Sequence, residues 1–253
     1  MSKISAVIVA HNEEKKIADC LSSLNFADEI VVVLDKCTDG TKEIVQKFTD
    51  KIIEGSWEIE GVRRNIALQA CSGDWIFEID ADERVSPELA TEILKVKESE
   101  PCMFVMPMAN FVGKRHIKYG WLRVIGVTEK KILFYRGYKV YHEDKQIHPT
   151  GDLKGEVKEI KTPLTHMMDD SIADLIQRFN RNTYWRGNDM IATGKINKKI
   201  SIFKELISFK FRFIKSFIIK KGYKEGGLGI LIALLAAAYP LVSRLKAKEA
   251  QSK

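Results

Sequence analysis

The sequence predicts an α/β fold with a mainly parallel central sheet flanked by helices, on three observations. Unbroken β-branched runs read as strands covered on both faces, apolar residues at helical spacing follow them, and this strand-helix pair recurs over the first hundred residues. With 253 residues, 45% of them hydrophobic and 30% charged, the chain buries a substantial core and is neither disordered, collagen-like nor a disulfide miniature.

Ile4–Ala10 (ISAVIVA) is the first such strand. Asn12 offers an N-cap to a helix that lines up Ile17, Cys20, Leu21 and Leu24. The unit repeats with a strand over 29–34, a polar loop over 35–40, and a short helix over 41–48 that turns Ile44, Val45 and Phe48 inward. Residues 51–54 read as a brief third strand and 60–71 as a helix, while 74–79 form a fourth strand that ends in Asp80-Ala81-Asp82-Glu83. Ser86 is an N-cap with Pro87 at the first helical position, opening a helix to about Lys97. Past Pro101 come strand-like pieces, 103–112 and 131–135, then a helix over 171–192 with Ile172, Leu175, Ile176 and Phe179 on one side.

The net charge of +7 is unevenly placed. Residues 195–253 carry fourteen basic against three acidic side chains, a net of +11, which leaves −4 for the rest. The expected organisation is therefore a catalytic domain over 1–194 and a basic helical tail over 195–253 that associates with a membrane or packs in a homo-oligomer. Within the tail, 202–219 interleaves Phe and Ile with Lys204, Lys210, Arg212 and Lys215, as in helices that lie on anionic lipid. Residues 226–243 are uncharged but short for a span and contain Pro240, so an embedded or interfacial segment is expected. The aromatic residues suit lipid better than nucleic acid, and no nucleic-acid partner is expected. Cys20, Cys37, Cys71 and Cys102 form no C-x-x-C pair and read as buried thiols of a cytosolic protein. The N-terminal apolar run is too short for a secretory signal.

No glycine loop follows the first strands: the turns are Ala10-His11-Asn12-Glu13 and Asp35-Lys36-Cys37-Thr38-Asp39-Gly40. A Rossmann dehydrogenase and a P-loop NTPase are thereby disfavoured, and bound phosphate must be neutralised in another way. Asp80 and Asp82 leave the carboxyl end of a buried strand, the edge where open α/β sheets bind ligands. Their hard oxygens suit Mn²⁺ or Mg²⁺ bridging two phosphates, although a solvated strand end reads the same way. No H-E-x-x-H is present to hold zinc.

In order and spacing, VIVAHNEEKKI, EIVVVLDKCTDGT and GVRRNIALQACSGDWIFEIDADERVSPE resemble the family 2 glycosyltransferases of GT-A fold, the fold of nucleotide-diphospho-sugar transferases. The resemblance implies a nucleotide site formed by Ala10, His11, Asn12, Glu13, Asp35, Arg64 and Asp80, with Asp35 on the base and Asp80 near the ribose or the metal's outer shell. It also implies Asp82 as direct metal ligand; His148 reads as completing the metal shell or touching the diphosphate. His11 and His166 read as structural or pocket-lining.

The stretches Ile147-His148-Pro149, Thr162-Pro163-Leu164-Thr165-His166, Arg178-Phe179-Asn180-Arg181 and 213–236 resemble the bacterial branch that adds sugars to the lipopolysaccharide inner core, β-1,4-glucosyltransferases on heptose included. Many of its members read His-Glu where this chain has His148-Pro149. A base for the acceptor hydroxyl must then come from another carboxylate, Glu143 first, with Asp144 and Asp152 nearby. The resemblance implies inverting transfer of a hexose from a nucleotide diphosphate, UDP-glucose, to a lipid-linked saccharide at the cytoplasmic face of the bacterial inner membrane. Trp121, Arg181 and Trp185 are the acceptor-site candidates. Two rivals are a non-catalytic membrane-bound scaffold that binds nucleotide sugar and a metal-dependent phosphotransferase using Asp80 and Asp82.

Overall fold

The computed structural model describes residues 2–144, 149–197 and 201–252. The chain forms two compact units, Met1–Met108 with Glu129–Met167, and Ala109–Thr128 with Met168–Lys253. The 1–194 stretch is thus shared between both units.

The strands are β1 (Ile4–Ala10), β2 (Glu29–Asp35), β3 (Ile52–Gly55), β4 (Trp75–Glu78), β5 (Glu83–Arg84), β6 (Met103–Val112), β7 (Arg115–His116), β8 (Glu129–Tyr135), β9 (Lys139–Tyr141), β10 (Gly151–Leu153), β11 (Val157–Glu159) and β12 (Leu164–Asp169). The helices are α1 (Ile17–Ser22), α2 (Thr41–Val45), α3 (Glu60–Ala70), α4 (Pro87–Leu94), α5 (Ile172–Ala192), α6 (Ile202–Ile214) and α7 (Gly226–Gln251).

The central sheet runs β3-β2-β1-β4-β8-β6-β12-β5, with β7 and β11 also paired to β6. From β3 to β4 all neighbours are parallel, in a register that matches Val7 with Val31 and with Glu78. β8 is antiparallel to both β4 and β6, and β5 is antiparallel to β12. The sheet is therefore mixed rather than mainly parallel. Parallelism holds where β-branched runs are buried on both faces, and it ends at β8, whose first half is polar and solvated. The shared direction of the first four strands collects the carboxyl ends of β1, β2 and β4 on one edge.

Val7, Val31, Val33 and Ile76 of the sheet pack with Ala67 and Leu68 of α3, Phe134 and Tyr141. Trp75 is fully buried between Phe104 and Tyr135, as a core residue should be. Ser86 caps α4, its Oγ accepting from Leu89 N at 3.2 Å ahead of Pro87. Ser86→Ala should cost about 1 kcal/mol, read as a lower denaturant midpoint at unchanged slope.

Three local expectations need correction. Asn12 caps nothing: its backbone is left-handed (φ 54°) and its side chain bonds Thr38, so α1 starts only at Ile17. Phe48 lies exposed beyond the end of α2, which stops at Val45. Ile172 and Ile176 are exposed, and α5 instead buries Leu175, Thr183, Gly187 and Met190.

In the second unit Ser171 caps α5, accepting from Asp174 N at 3.2 Å. Its core joins Trp121, Ile125, Met168 and Leu175 to Ile232 and Ala236 of α7. At Gly187 a Cβ would lie 3.0 Å from Ser243 O and 3.2 Å from Ala247 N, so the glycine is what lets α5 and α7 approach. α7 is long and apolar enough to cross a membrane by length and composition. Ile232, Ala233, Ala236 and Ala237 are nevertheless buried within the unit, so the 226–243 segment is a packing helix on that face rather than one embedded in lipid all round.

Candidate active site

The turn after β1 and the turn after β2 are clamped to each other. Asn12 Oδ1 accepts from Thr38 N at 2.8 Å, Thr41 Oγ1 accepts from Glu13 N at 2.8 Å, and Glu14 Oε2 accepts from Gly40 N at 2.9 Å. His11 Nδ1 lies 2.6 Å from the Asp35 carbonyl. Asp35 itself is 2% exposed; one carboxylate oxygen accepts from Trp57 N at 2.9 Å and the other pairs with Arg63. Side-chain and backbone groups of the two turns, the Gly40 amide among them, thus build a polar wall at the strand ends.

Beside it stands a buried ionic network. Arg64, on α3, bonds Glu60 and Glu78 at 2.7 Å each and reaches Asp80 at 3.6 Å. Glu78 also takes Lys139 at 2.6 Å and the Tyr141 hydroxyl at 2.7 Å. Burial alone would raise the Glu78 carboxyl, but Lys139 and Arg64 outweigh it and hold it down at about 2. Tyr141 is pushed up by burial and by Glu78.

Lys130 links Asp80, at 2.6 Å, to Glu83. Burial opposes ionisation of Asp80, yet Lys130 and Arg64 hold it well below the usual carboxylate range. Glu83, fully buried and facing the Asp80 charge across the same ammonium, is raised to about 7 by burial against the pull of Lys130. Lys130 is raised because Asp80 and Glu83 outweigh its burial.

Asp82 stands apart from this network. Its side chain is 27% exposed, and His166 Nε2 lies 3.4 Å from its Oδ2. The antiparallel pairing of His166 with Glu83, and the bond from Met167 N to Asp82 O at 2.8 Å, bring β12 to this place. Asp82, Glu83 and His166 each offer a ligand atom within 4.8 Å of one another. Two carboxylates and one imidazole form a donor set suited to Mn²⁺ or Mg²⁺, and Asp82 supplies a charge that neither Lys130 nor Arg64 neutralises.

Of the sequence candidates, Ala10, His11, Asn12, Glu13, Asp35, Arg64, Asp80 and Asp82 all lie at the carboxyl edge of the parallel strands. Arg64 is engaged with three carboxylates there. Glu143 is exposed, with its Oε1 accepting from Asn65 Nδ2 at 2.9 Å, and Asp144 follows it on the same segment. Asp152 is paired with His142 at 2.9 Å. His148 lies outside the described residues. Trp121, Arg181 and Trp185 belong to the second unit. Trp121, the other aromatic acceptor candidate, is largely packed: it is 4% exposed and donates from Nε1 to Ile117 O at 2.8 Å, which leaves little of its ring open to a sugar. Trp185 is half-buried against the exposed Tyr184, and Arg181 is exposed.

Sequence reasoning missed Glu83 and Lys130 and set His166 aside. Glu83 carried a signal, as a third acid following D-A-D, whereas Lys130 and His166 are 47 or more residues away in sequence and come close only through strand pairing.

A mixed sheet flanked by helices, with an acidic cluster at the ends of its parallel strands, fits the GT-A fold expected from the motifs. The chain matches the model of glycosyl transferase family 2 over residues 5–155, and it belongs to that family. It is 26% identical to an uncharacterized glycosyltransferase of Rickettsia felis, over 98% of this chain and 90% of that one. It is 25% identical to the lipopolysaccharide core biosynthesis glycosyltransferase LpsC of Rhizobium meliloti, over 96% of this chain and 91% of that one. Among solved structures, residues 1–349 of Staphylococcus aureus TarS align with 98% of this chain and 88% of that one at 16% identity, with a TM-score of 0.49. Family membership makes the chain a glycosyltransferase enzyme and displaces both the scaffold and the phosphotransferase readings. Asp80, tied to Lys130 and Arg64, is also no free nucleophile.

Proposed function

We propose that this enzyme transfers a hexose, with inversion, from UDP-glucose to a lipid-linked saccharide such as the lipopolysaccharide inner core. In this reading the reaction occurs at the cytoplasmic face of the bacterial inner membrane. The observation that carries the nucleotide-sugar chemistry is the Asp82, Glu83 and His166 cluster at the carboxyl edge of the parallel strands. The full-length likeness to LpsC, named for lipopolysaccharide core biosynthesis, supports the acceptor class.

Asp82, Glu83 and His166 would hold Mn²⁺ or Mg²⁺, which supplies positive charge to the departing diphosphate. The clamped turns after β1 and β2 fix the base and ribose, with Ala10, His11, Asn12, Glu13 and Asp35 lining that wall. Arg64 and Lys130 keep Asp80 ionised and oriented towards the nucleotide. Glu143, held by Asn65, removes the acceptor hydroxyl proton as the anomeric carbon is attacked in line. Asp144 is the reserve for that role, and Arg181 and Trp185 are proposed on the acceptor.

Glu143→Gln separates these tasks. Transfer should fall by roughly 10²–10⁴-fold, the usual weight of a general base. Stabilisation by Mn²⁺ with UDP-glucose in a melting experiment should remain, because Glu143 holds no donor. Full transfer by the variant would move the base elsewhere. Absence of any Mn²⁺-dependent stabilisation by a panel of nucleotide sugars in the wild type would sink the donor assignment.

A further inference from the structure

The second unit carries an apolar surface that none of its described residues covers. No residue of α6 is buried, and Ile202, Phe203, Leu206, Ile207 and Phe211 are between 53% and 77% exposed. Lys204, Lys210 and Arg212 lie along the same helix, and Lys215 follows at its end.

At the far end of α6 the chain reverses through Lys215–Ile219 and Gly222–Glu225, and a cleft opens between residues 118–121 and 219–221. Its walls are fixed. Gly120 N donates to Lys220 O at 2.9 Å, and Ser216 Oγ donates to Gly120 O at 2.5 Å. Glu225, buried, accepts from Lys118 N at 2.8 Å, Tyr119 N at 3.1 Å and Arg115 at 2.9 Å. This carboxylate is therefore committed to holding the backbone. Lys118, Lys220 and Lys221 line the cleft, and none of them pairs with a carboxylate among the described residues.

Lys221 also adopts a left-handed backbone (φ 57°), a conformation that glycine takes more easily. The next residue, Gly222, admits no side chain: a Cβ there would lie 2.9 Å from Ser216 O. The turn thus spends its glycine on packing and holds a strained lysine at the cleft. Ile218 and Ile219, both exposed, stand beside these ammonium groups. Clustered cations in a concave site with apolar side chains at its rim are complementary to a phosphate that carries acyl chains, and free phosphate would make no use of the isoleucines.

We propose that this cleft binds the phosphate of an anionic phospholipid headgroup and so seats α6 in the surface of a bilayer. The proposal rests on the membrane-surface reading above and is independent of which sugar is transferred.

The test is sedimentation of the full chain with phosphatidylcholine vesicles, with and without phosphatidylglycerol. Binding should require phosphatidylglycerol. The triple variant K118Q/K220Q/K221Q should bind about tenfold more weakly than K204Q/K210Q/K215Q, which loses the same charge from α6 and its end but leaves the cleft intact. Equal weakening of the two variants would reduce the effect to general charge and overturn the site. Equal binding of the wild type to both vesicle types would also overturn it, as would saturable binding of glycerol phosphate by a protein that sediments with neither vesicle type. A lipid-free dimer that F211E converts to monomer would assign the face to a second copy instead. Mn²⁺-dependent hydrolysis of UDP-glucose, followed in the same samples, separates the two readings: vesicle binding that persists in a chain without hydrolysis sustains the lipid site and counts against the donor.

Discussion

Asp82→Ala is expected to lower sugar transfer by roughly 10³-fold, because a bound divalent cation supplies several kcal/mol of charge stabilisation and each 1.4 kcal/mol or so is a factor of ten. The geometry isolates Asp82 for this role. Asp80 and Glu83 share Lys130, and Arg64 adds its charge to Asp80, whereas Asp82 is partly exposed and faces His166. The melting temperature of the variant without ligand should be nearly unchanged, since no buried cation loses its partner. The shift produced by Mn²⁺ with UDP-glucose should vanish. His166→Ala should weaken the Mn²⁺-dependent shift in the same direction, by at least the roughly 10–100-fold in affinity that loss of a mere supporting group costs at metal sites. Transfer by Asp82→Ala at the wild-type rate would remove the cation from the reaction.

The second large effect concerns stability. Glu78→Ala should destabilise the protein by about 3–5 kcal/mol, the cost of stranding buried charges, here Lys139 and Arg64. For a chain of this size that is a melting temperature lower by roughly 6–20 °C. Glu78 also makes the protein acid-sensitive in a defined window. Lys139 and Arg64 hold its folded pKa at about 2, below the ordinary glutamate value of 4.5, so the unfolded chain takes up the proton first as pH falls. The stabilisation, about 3 kcal/mol, is fully present above pH 4.5 or so and is lost as pH drops towards about 2. Unfolding free energies of the wild type and Glu78→Gln across that window check the sign: the wild type should lose stability more steeply. Parallel curves would show that Glu78 is not the titrating group.

The two effects arise from neighbouring stretches with opposite tasks. Glu78 sits within β4, where burial makes an ionic partner obligatory; Asp82 sits just past the strand end, where partial exposure leaves its charge available. Three residues of chain separate a charge that holds the fold together from one that can hold a ligand.

Strand and helix identities in the first hundred residues followed from local chemistry. The β-branched runs at Ile4–Ala10 and Glu29–Asp35 need cover on both faces, and Ser86-Pro87 starts a helix wherever it is placed, so these elements were legible without tertiary information. Asp80 and Asp82 at a strand end were legible for the same reason, because the carboxyl edge of a parallel sheet is set by chain direction. The amphipathic α6 could also be read from its spacing of Phe, Ile and Lys, since it finds no cover within its unit.

Tertiary structure alone decided the rest. Lys130 and His166 reach the acids only because β8 and β12 join the sheet, pairings between residues distant in sequence that no periodicity encodes. Trp121 looks in sequence like an exposed aromatic beside an arginine, and only its packing against α5 and α7 makes it core. The cleft at Lys118, Lys220 and Lys221 exists because the turn after α6 returns to a segment about a hundred residues earlier. Local sequence set which residues could form strands, helices and charged ends, since these follow from backbone preference and solvation within a few residues. Long-range pairing set which charges are spent on one another and which remain for a ligand, since Coulomb energy and burial depend on distance in space, not along the chain.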